Sequence, residues 1–287
     1  MLPFMSESVR RALASVVIPA HNEARCLRGN LVKLLAGLPD GALDVLVVCN
    51  GCTDDTASVA RSVPGVRVLE IPEPSKARAV EVGNLATSIF PRIHLDADVT
   101  LGGADVVRLI DALREDGVHA VAPERVVPTG ESSWPVRAFY RVWQALPQVR
   151  DGLFGRGVVA LSEAGQARVD ALPAMMSDDL AMSEAFAEAD RRIVPRAVVV
   201  VHPPRTVADL VRRRIRVATG NAQYDGSGAS RTSTSISTLA VIGFRDPRVA
   251  VCVPVFLAVA LRARWEARHA VRAADFTTWL RDESSRA

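Results

Sequence analysis

The chain has 287 residues, 49% hydrophobic, 23% charged and 5% aromatic, which describes a globular protein and excludes a disordered or fibrous one. Lys and Arg number 35 against 32 Asp and Glu, a formal charge of +3, too balanced for a nucleic-acid binder with its concentrated basic footprint. The cationic excess is local: residues 205–272 hold twelve Arg against Asp209, Asp225, Asp246 and Glu266, a surplus of +8 that leaves −5 elsewhere.

Four cysteines (Cys26, Cys49, Cys52 and Cys252) are too few for a disulfide framework, so a reducing cytoplasmic setting is expected. The first residues lack the basic-then-apolar order of a secretory signal. The longest charge-free apolar run, 249–261, is interrupted by Pro254; at ~1.5 Å per helical residue it reaches about 20 Å of a ~30 Å hydrocarbon core and does not span a bilayer.

Apolar runs of strand length alternate with longer amphipathic stretches, the pattern of βαβ units around a mostly parallel sheet buried on both faces. Strands are expected at 14–19, 45–49, 66–71, 92–95 and 118–122, with helices at 24–38, 54–63, 76–89 and from 103 to about 114. Beyond Pro128 the regularity drops. A helix is expected at 132–146, a glycine-rich segment at 152–157, a strand at 158–161, a helix at 175–189 and a strand or strand pair at 192–201. A basic helix follows from 206 to about 219, and the Ser/Thr/Gly-rich stretch 226–238 reads as a linker to an apolar, Arg-rich tail at 239–287.

In open α/β sheets ligands bind outside the carboxyl ends of the strands, and the residues there are polar. Pro19, His21, Asn22 and Glu23 follow the first strand; Asn50, Gly51, Thr53 and Asp54 follow the second; Asp96 and Asp98 follow the fourth. Asn22 and Asp54 taken singly would serve as helix N-caps, but capping does not explain their joint placement. Asp96-Ala97-Asp98 offers two hard carboxylates suited to Mg²⁺ or Mn²⁺ carrying diphosphate oxygens. The competing reading is a turn whose acids cap the helix starting at Gly103.

The motifs VVIPAHNEA (16–24), VVCNGCTDDT (47–56), KARAVEVGN (76–84), HLDADV (94–99), GRGVVALS (155–162) and SDDLAMS (177–183) in this order resemble glycosyltransferase family 2, nucleotide-sugar enzymes of GT-A fold. The resemblance implies an α/β chain with a mostly parallel Rossmann-like sheet flanked by helices and a helical C-terminal tail. A catalytic domain would occupy 1–225, with a nucleotide-sugar half at about 14–124 and an acceptor half at about 125–225. The implied activity is metal-dependent, inverting and non-processive transfer from a nucleoside-diphosphate-sugar to an acceptor hydroxyl, with Mn²⁺ or Mg²⁺ as cofactor. A retaining transferase and a degenerate nucleotide-sugar-binding protein are the alternatives. The acceptor, whether lipid-linked, glycan or small metabolite, is left open.

Carried over by position, Pro19, Asn22, Glu23, Asn50 and Asp54 line the nucleoside pocket, and Lys76 approaches base, ribose or phosphates. Asp96 sits near ribose and metal, Asp98 ligates the metal directly, and His202 is a further ligand. Asp179 is the general base beside Asp178, since an attacking hydroxyl must lose its proton within hydrogen-bond reach; the acids also suit a helix N-terminus. His21 is read as pocket wall and His94 as part of a buried strand.

Two departures stand out. Cys49 replaces an acid of the second motif, and the C-x-x-C it forms with Cys52 has no second Cys/His pair at zinc-site spacing. The Q-x-x-R-W motif of processive synthases is reduced at 213–217 to Arg216, which favours single transfer. Arg212, Arg213, Arg214 and Arg216 would face leaving-group charge or solvent. With Arg245, Arg248, Arg262, Arg264, Arg268 and Arg272 around the apolar 249–261 run, they point equally to a peripheral contact with anionic lipid at the inner membrane face and to helix packing or a homodimer interface.

Overall fold

The structure, a computed structural model, describes residues 12–172, 182–225 and 234–272. Its opening half follows the βαβ expectation closely: β1 (Ala14–Ala20), α1 (Ala24–Leu35), β2 (Leu43–Asn50), α2 (Thr56–Arg61), β3 (Val66–Ile71), α3 (Lys76–Leu85) and β4 (Arg92–Leu95). β1 pairs in parallel with β2 and β4, and β2 with β3. Every residue of β1 is buried, which is why this strand is apolar nearly throughout instead of alternating. α3 lies so close to β1 that a Cβ at Gly83 would stand 2.4 Å from Val17 Cγ1, so glycine there sets the helix-to-sheet distance.

β5 (Val99–Leu101), α4 (Gly103–Ala112), β6 (Ala120–Val126), α5 (Trp134–Ala145), α6 (Pro147–Asp151), β7 (Val158–Leu161), α7 (Glu163–Asp170) and β8 (Arg191–Val201) complete the sheet and its flanks. The eight strands run in the order β3-β2-β1-β4-β7-β6-β8-β5. β7 is antiparallel to β4 and β6, and β5 to β8, while β8 runs parallel to β6. The sheet is therefore parallel in its first half and mixed in its second.

β8 is one strand, not a pair. Its register against β6 jumps from Pro123↔Val194 to Glu124↔Val198, and Arg196 in the extra segment adopts φ 72°, a bulge that bends the strand so that its end also reaches β5. The expected helix at 175–189 is corrected at its end: Glu188–Asp190 is a 3₁₀ turn leading directly into β8.

The main core lies on one face of the sheet beneath α1 and α4, built from Val16, Ile18, Leu27, Leu31, Val45, Val47, Leu109 and their neighbours. A smaller one joins Leu46, Val48 and Ala79 beneath α3. The later described elements are helices: α8 (Val207–Asp225), α9 (Ile236–Arg245), α10 (Pro247–Ala250) and α11 (Val253–Arg272). α9 begins inside the stretch expected as a linker. Phe139 and Tyr140 of α5 pack with Leu239, Ile242, Val249 and Phe256 in a separate core, with Phe139 stacked on Phe256 at a centroid distance of 5.0 Å.

Candidate active site

The loops after β1 and β2 are tied to each other. Asn22 takes the left-handed conformation, φ 54°, which asparagine tolerates better than most residues, and its Oδ1 accepts from the backbone N–H of Thr53 at 2.7 Å and of Asp54 at 3.3 Å. Asp54 answers by accepting from Ala24 N–H at 3.3 Å, Thr56 N–H at 3.0 Å and the Thr56 hydroxyl. Thr56 Oγ1 in turn accepts from Glu23 N–H at 2.7 Å, and Glu23 is buried. The helix caps are Glu23 and Asp55 by position, and neither side chain makes a capping bond. Asn22 and Asp54 thus act across two loops, fixing the rim of the β1 and β2 carboxyl ends.

Beneath that rim Asn50 is buried, donates through Nδ2 to Ala20 O at 2.9 Å, and leaves a buried Oδ1 without a hydrogen-bond partner among the described residues. A ring N–H at His21 Nδ1 donates to Asn50 O at 2.6 Å. Pro19 lies within β1 opposite Val48, buried, so any part it takes in the pocket is through shape.

Cys49 and Cys52 stand at the same turn, with the Cys52 thiol donating to Ala20 O at 3.4 Å. The neighbouring Cys52 and burial push the Cys49 thiol up, while the neighbouring Cys49 lowers Cys52 to about 6. Cys52 Sγ also accepts from Asn22 N–H at 3.4 Å. Gly51 between them has φ 56°, and a Cβ there would stand 2.8 Å from Pro74 N, so the turn requires glycine.

Asp96 and Asp98 sit in the tight turn joining β4 to β5. A strand follows them, and the cap position of α4 is Gly102, with Asp105 in its first turn; the helix-capping reading of this pair is thereby excluded. The turn is anchored on three sides. Asp96 N–H donates to Gly157 O at 2.8 Å, Asn30 Nδ2 donates to Ala97 O at 2.9 Å, and Thr100 Oγ1 donates to Asn30 Oδ1 at 2.7 Å. Gly157, φ 66°, passes so near that a Cβ would stand 2.7 Å from Val99 Cγ1 and 3.2 Å from Asp96 Oδ2. Lys76 at the start of α3 reaches Asp96 with Nζ to Oδ1 at 2.8 Å, both side chains about one-third exposed. Asn30 lies in none of the motifs, although an asparagine bordering the Leu27, Leu31 and Leu34 stripe of α1 is a visible irregularity, and Gly157 is legible only as part of the GRGVVALS segment.

The antiparallel ladder of β5 and β8 ends at Val99↔Val201, so His202 stands one step beyond it, across from Asp98. Its ring is exposed and its carbonyl accepts from Arg213 Nη1 at 3.2 Å. Among the described residues no three His, Cys, Asp or Glu side chains converge as a metal cage. The two hard carboxylates of the one turn are a donor pair of the kind that binds Mn²⁺ or Mg²⁺ and leaves positions for phosphate oxygens.

The glycine-rich segment that ends at Gly157 rests on a buried and a half-buried arginine, Arg156 and Arg125. Arg156 donates to Gly152 O at 3.1 Å, Pro123 O at 2.9 Å and Arg150 O at 2.7 Å; Arg125 donates to Phe154 O at 3.1 Å and Gly155 O at 3.2 Å and lies over the Trp143 ring. Burial lowers the first to about 10 and the second to about 9, so both remain charged at neutral pH. Asp178 and Asp179 lie outside the described residues; shortly after them, Ser183 Oγ accepts from Leu153 N–H at 3.1 Å and Ser183 O from Arg191 at 2.9 Å.

The arginines of α8 do not act as one patch. Arg212 pairs with Asp209, Arg213 reaches the His202 carbonyl, Arg214 sits over the Phe139 ring at 5.6 Å, and Arg216 is half-buried. His94 bonds Gln166 Oε1 through Nε2 at 2.8 Å, and loss of solvent lowers it to about 4, leaving it neutral.

Residues 15–158 match the family model described as glycosyl transferase family 2, a span that contains Asn22, Asn50, Asp54, Lys76, Asp96, Asp98 and Gly157. The chain belongs to glycosyl transferase family 2. Proteins from Mycobacterium tuberculosis and Mycobacterium bovis, each called an uncharacterized glycosyltransferase, are 35% identical over 121 residues, 42% of this chain and 52% of theirs. The chain thus matches about half the length of these curated relatives. Among solved structures, a mannosyltransferase from Pyrobaculum calidifontis in complex with GDP-Man and Mn²⁺ superposes with a TM-score of 0.60 at 20% identity, covering 95% of this chain and 86% of that one. A mycobacterial protein superposes at 0.53 with 23% identity over 76% of each chain. The family 2 chain has the GT-A fold expected from its motifs, and no described helix is long and apolar enough to cross a membrane.

Proposed function

We propose that this family 2 chain transfers a glycosyl group from a nucleoside-diphosphate-sugar to an acceptor hydroxyl. The observation that carries the proposal is the meeting of four chain segments at one end of the parallel strands: the clamped β1 and β2 loops, Lys76 at the head of α3, and the Asp96/Asp98 turn joined to Lys76 by a 2.8 Å ion pair. Donor nucleoside would lie along Asn22, Glu23, Asn50 and Asp54 against Pro19, with the buried Asn50 Oδ1 available to a base or ribose donor. Asp98, Asp96 and His202 would hold Mn²⁺ or Mg²⁺, which when bound supplies positive charge to the departing diphosphate. Arg216 would add charge from the acceptor side.

In the inverting reaction the acceptor oxygen attacks the anomeric carbon as the bond to the diphosphate breaks, and Asp179, beside Asp178, takes the hydroxyl proton. The nucleotide-sugar half would be 14–124 and the acceptor half 125–225, with the remainder of the chain appended to them. The departure of the Arg213–Val217 segment from the processive motif supports single transfer. Thermal-shift titration against uridine, guanosine and thymidine diphospho-sugars with Mn²⁺ tests the donor class, because a ligand bound only by the native state raises its apparent stability. Proton NMR of the product reads the anomeric outcome. No metal-dependent shift with any of the three, and no transfer or donor hydrolysis, would overturn the proposal.

A further inference from the structure

The helices that follow the catalytic fold are built the wrong way round for a face turned to water. A surface helix buries one stripe and presents polar groups opposite it. α9 buries Leu239 and Ile242 yet exposes Ile236 and Phe244, the latter 92% accessible; α11 buries Phe256, Val259, Ala263 and Ala267 yet exposes Leu261 and Trp265 at 61% and 60%. Val251, 71% exposed, lies in the short turn preceding α11. α9 and α10 are in close contact, a Cβ at Gly243 standing 3.4 Å from Ala250 Cα, so Phe244 and Val251 each adjoin one helix junction. Leu261 and Trp265 lie one turn apart on α11, and exposed apolar groups paired in this way mark a contact surface.

The charges around these groups select the partner. Arg245, Arg248, Arg262 and Arg264 are exposed on the same helices. The two acids of this stretch are engaged locally: Asp246 Oδ1 accepts from Arg248 N–H at 2.8 Å at the start of α10, and Glu266 pairs with Arg262 at 2.7 Å. A two-fold contact between copies would set the same patch against itself, bringing cation toward cation with few acids to answer. A surface of anionic headgroups over an acyl boundary answers both halves of the patch, the arginines meeting phosphates while the apolar side chains enter the boundary and Trp265 sits at headgroup level.

We propose that the outer face of α9 to α11 docks the chain onto an anionic lipid bilayer, lying on the membrane without crossing it. The inference goes beyond sugar transfer and does not depend on it. The test is co-sedimentation of the full chain with vesicles of phosphatidylcholine alone and of phosphatidylcholine mixed with phosphatidylglycerol, at low and high salt. Binding is expected to the mixed vesicles, weakened by salt, and on the order of tenfold weaker in Phe244→Ser/Trp265→Ser through lost apolar insertion. Arg245→Glu/Arg248→Glu should fall further, on the order of thirtyfold or more, since two headgroup contacts are lost and two acids face the anionic surface. Both variants change exposed positions and should keep the wild-type melting temperature and donor affinity. Absence of wild-type binding to mixed vesicles overturns the proposal, as does a stable wild-type dimer in analytical ultracentrifugation that either variant splits and that leaves no vesicle binding.

Discussion

The two halves of the molecule hold their functional residues by different means. Around the β1, β2 and β4 ends, position is imposed by almost wholly buried parallel strands, and side chains such as Asn22, Asp54 and Asn30 then bond backbone groups of neighbouring loops. Beyond β6 the chain relies on antiparallel pairing across long sequence separation, on carbonyls bonded by Arg156 and Arg125, and on an aromatic core shared by α5 with the C-terminal helices. The first arrangement suits a site whose ligand has a constant part, a nucleoside diphosphate. The second suits a surface free to vary with the acceptor and with whatever the tail contacts.

Substitutions should expose this contrast. The largest effect is expected from Asp98→Asn, which removes the principal carboxylate of the β4–β5 turn: turnover should fall roughly 10²- to 10³-fold and metal-dependent donor affinity should fall with it. Asp179→Asn should reduce turnover comparably while sparing donor affinity, because a proton acceptor acts after the donor is bound. Calorimetric titration of donor into the two variants separates them, and equal losses of affinity would erase the proposed division between donor and acceptor sides.

Next in size, Gly157→Val should cost about 1–3 kcal/mol of stability in urea unfolding, through its φ of 66° and the 2.7 Å approach to Val99, and should lower activity by displacing Asp96. Asn30→Ala leaves Ala97 O and the Thr100 hydroxyl without their partner and should cost about 1 kcal/mol. The smallest change concerns Cys52. Its thiol is lowered to about 6 by the adjacent Cys49, so the thiolate predominates above that pH, and alkylation should reach half its limiting rate near pH 6 and be slowed by bound donor. A midpoint near the ordinary thiol value would show that Cys49 does not lower it.

Legibility in the sequence followed the same division. Short local units made the parallel half readable: each strand of the first four was expected within a few residues, and polar residues at their ends marked the rim. What escaped depended on distant partners. That Asn30 holds the Asp96/Asp98 turn, that Gly157 passes close to Asp96, and that Arg125 and Arg156 bond carbonyls of the glycine-rich segment all arise from contacts across dozens of residues, to which hydrophobic period is blind. The separation of β5 from β4 was missed for a related reason, since Val99–Leu101 becomes a strand only through pairing with β8. The arginines of α8 were read as a group from composition, whereas packing assigns each a different neighbour.

The central claim is that the Asp96/Asp98 turn, steadied by Lys76, binds a divalent cation together with a donor diphosphate. Isothermal titration of a nucleoside-diphosphate-sugar into the full chain, with Mn²⁺ and with chelator, then repeated with Asp98→Asn, tests it most directly. Saturable binding that requires Mn²⁺ in the wild type and is lost in the variant is the predicted result; donor binding unchanged by chelation and by the substitution would contradict it.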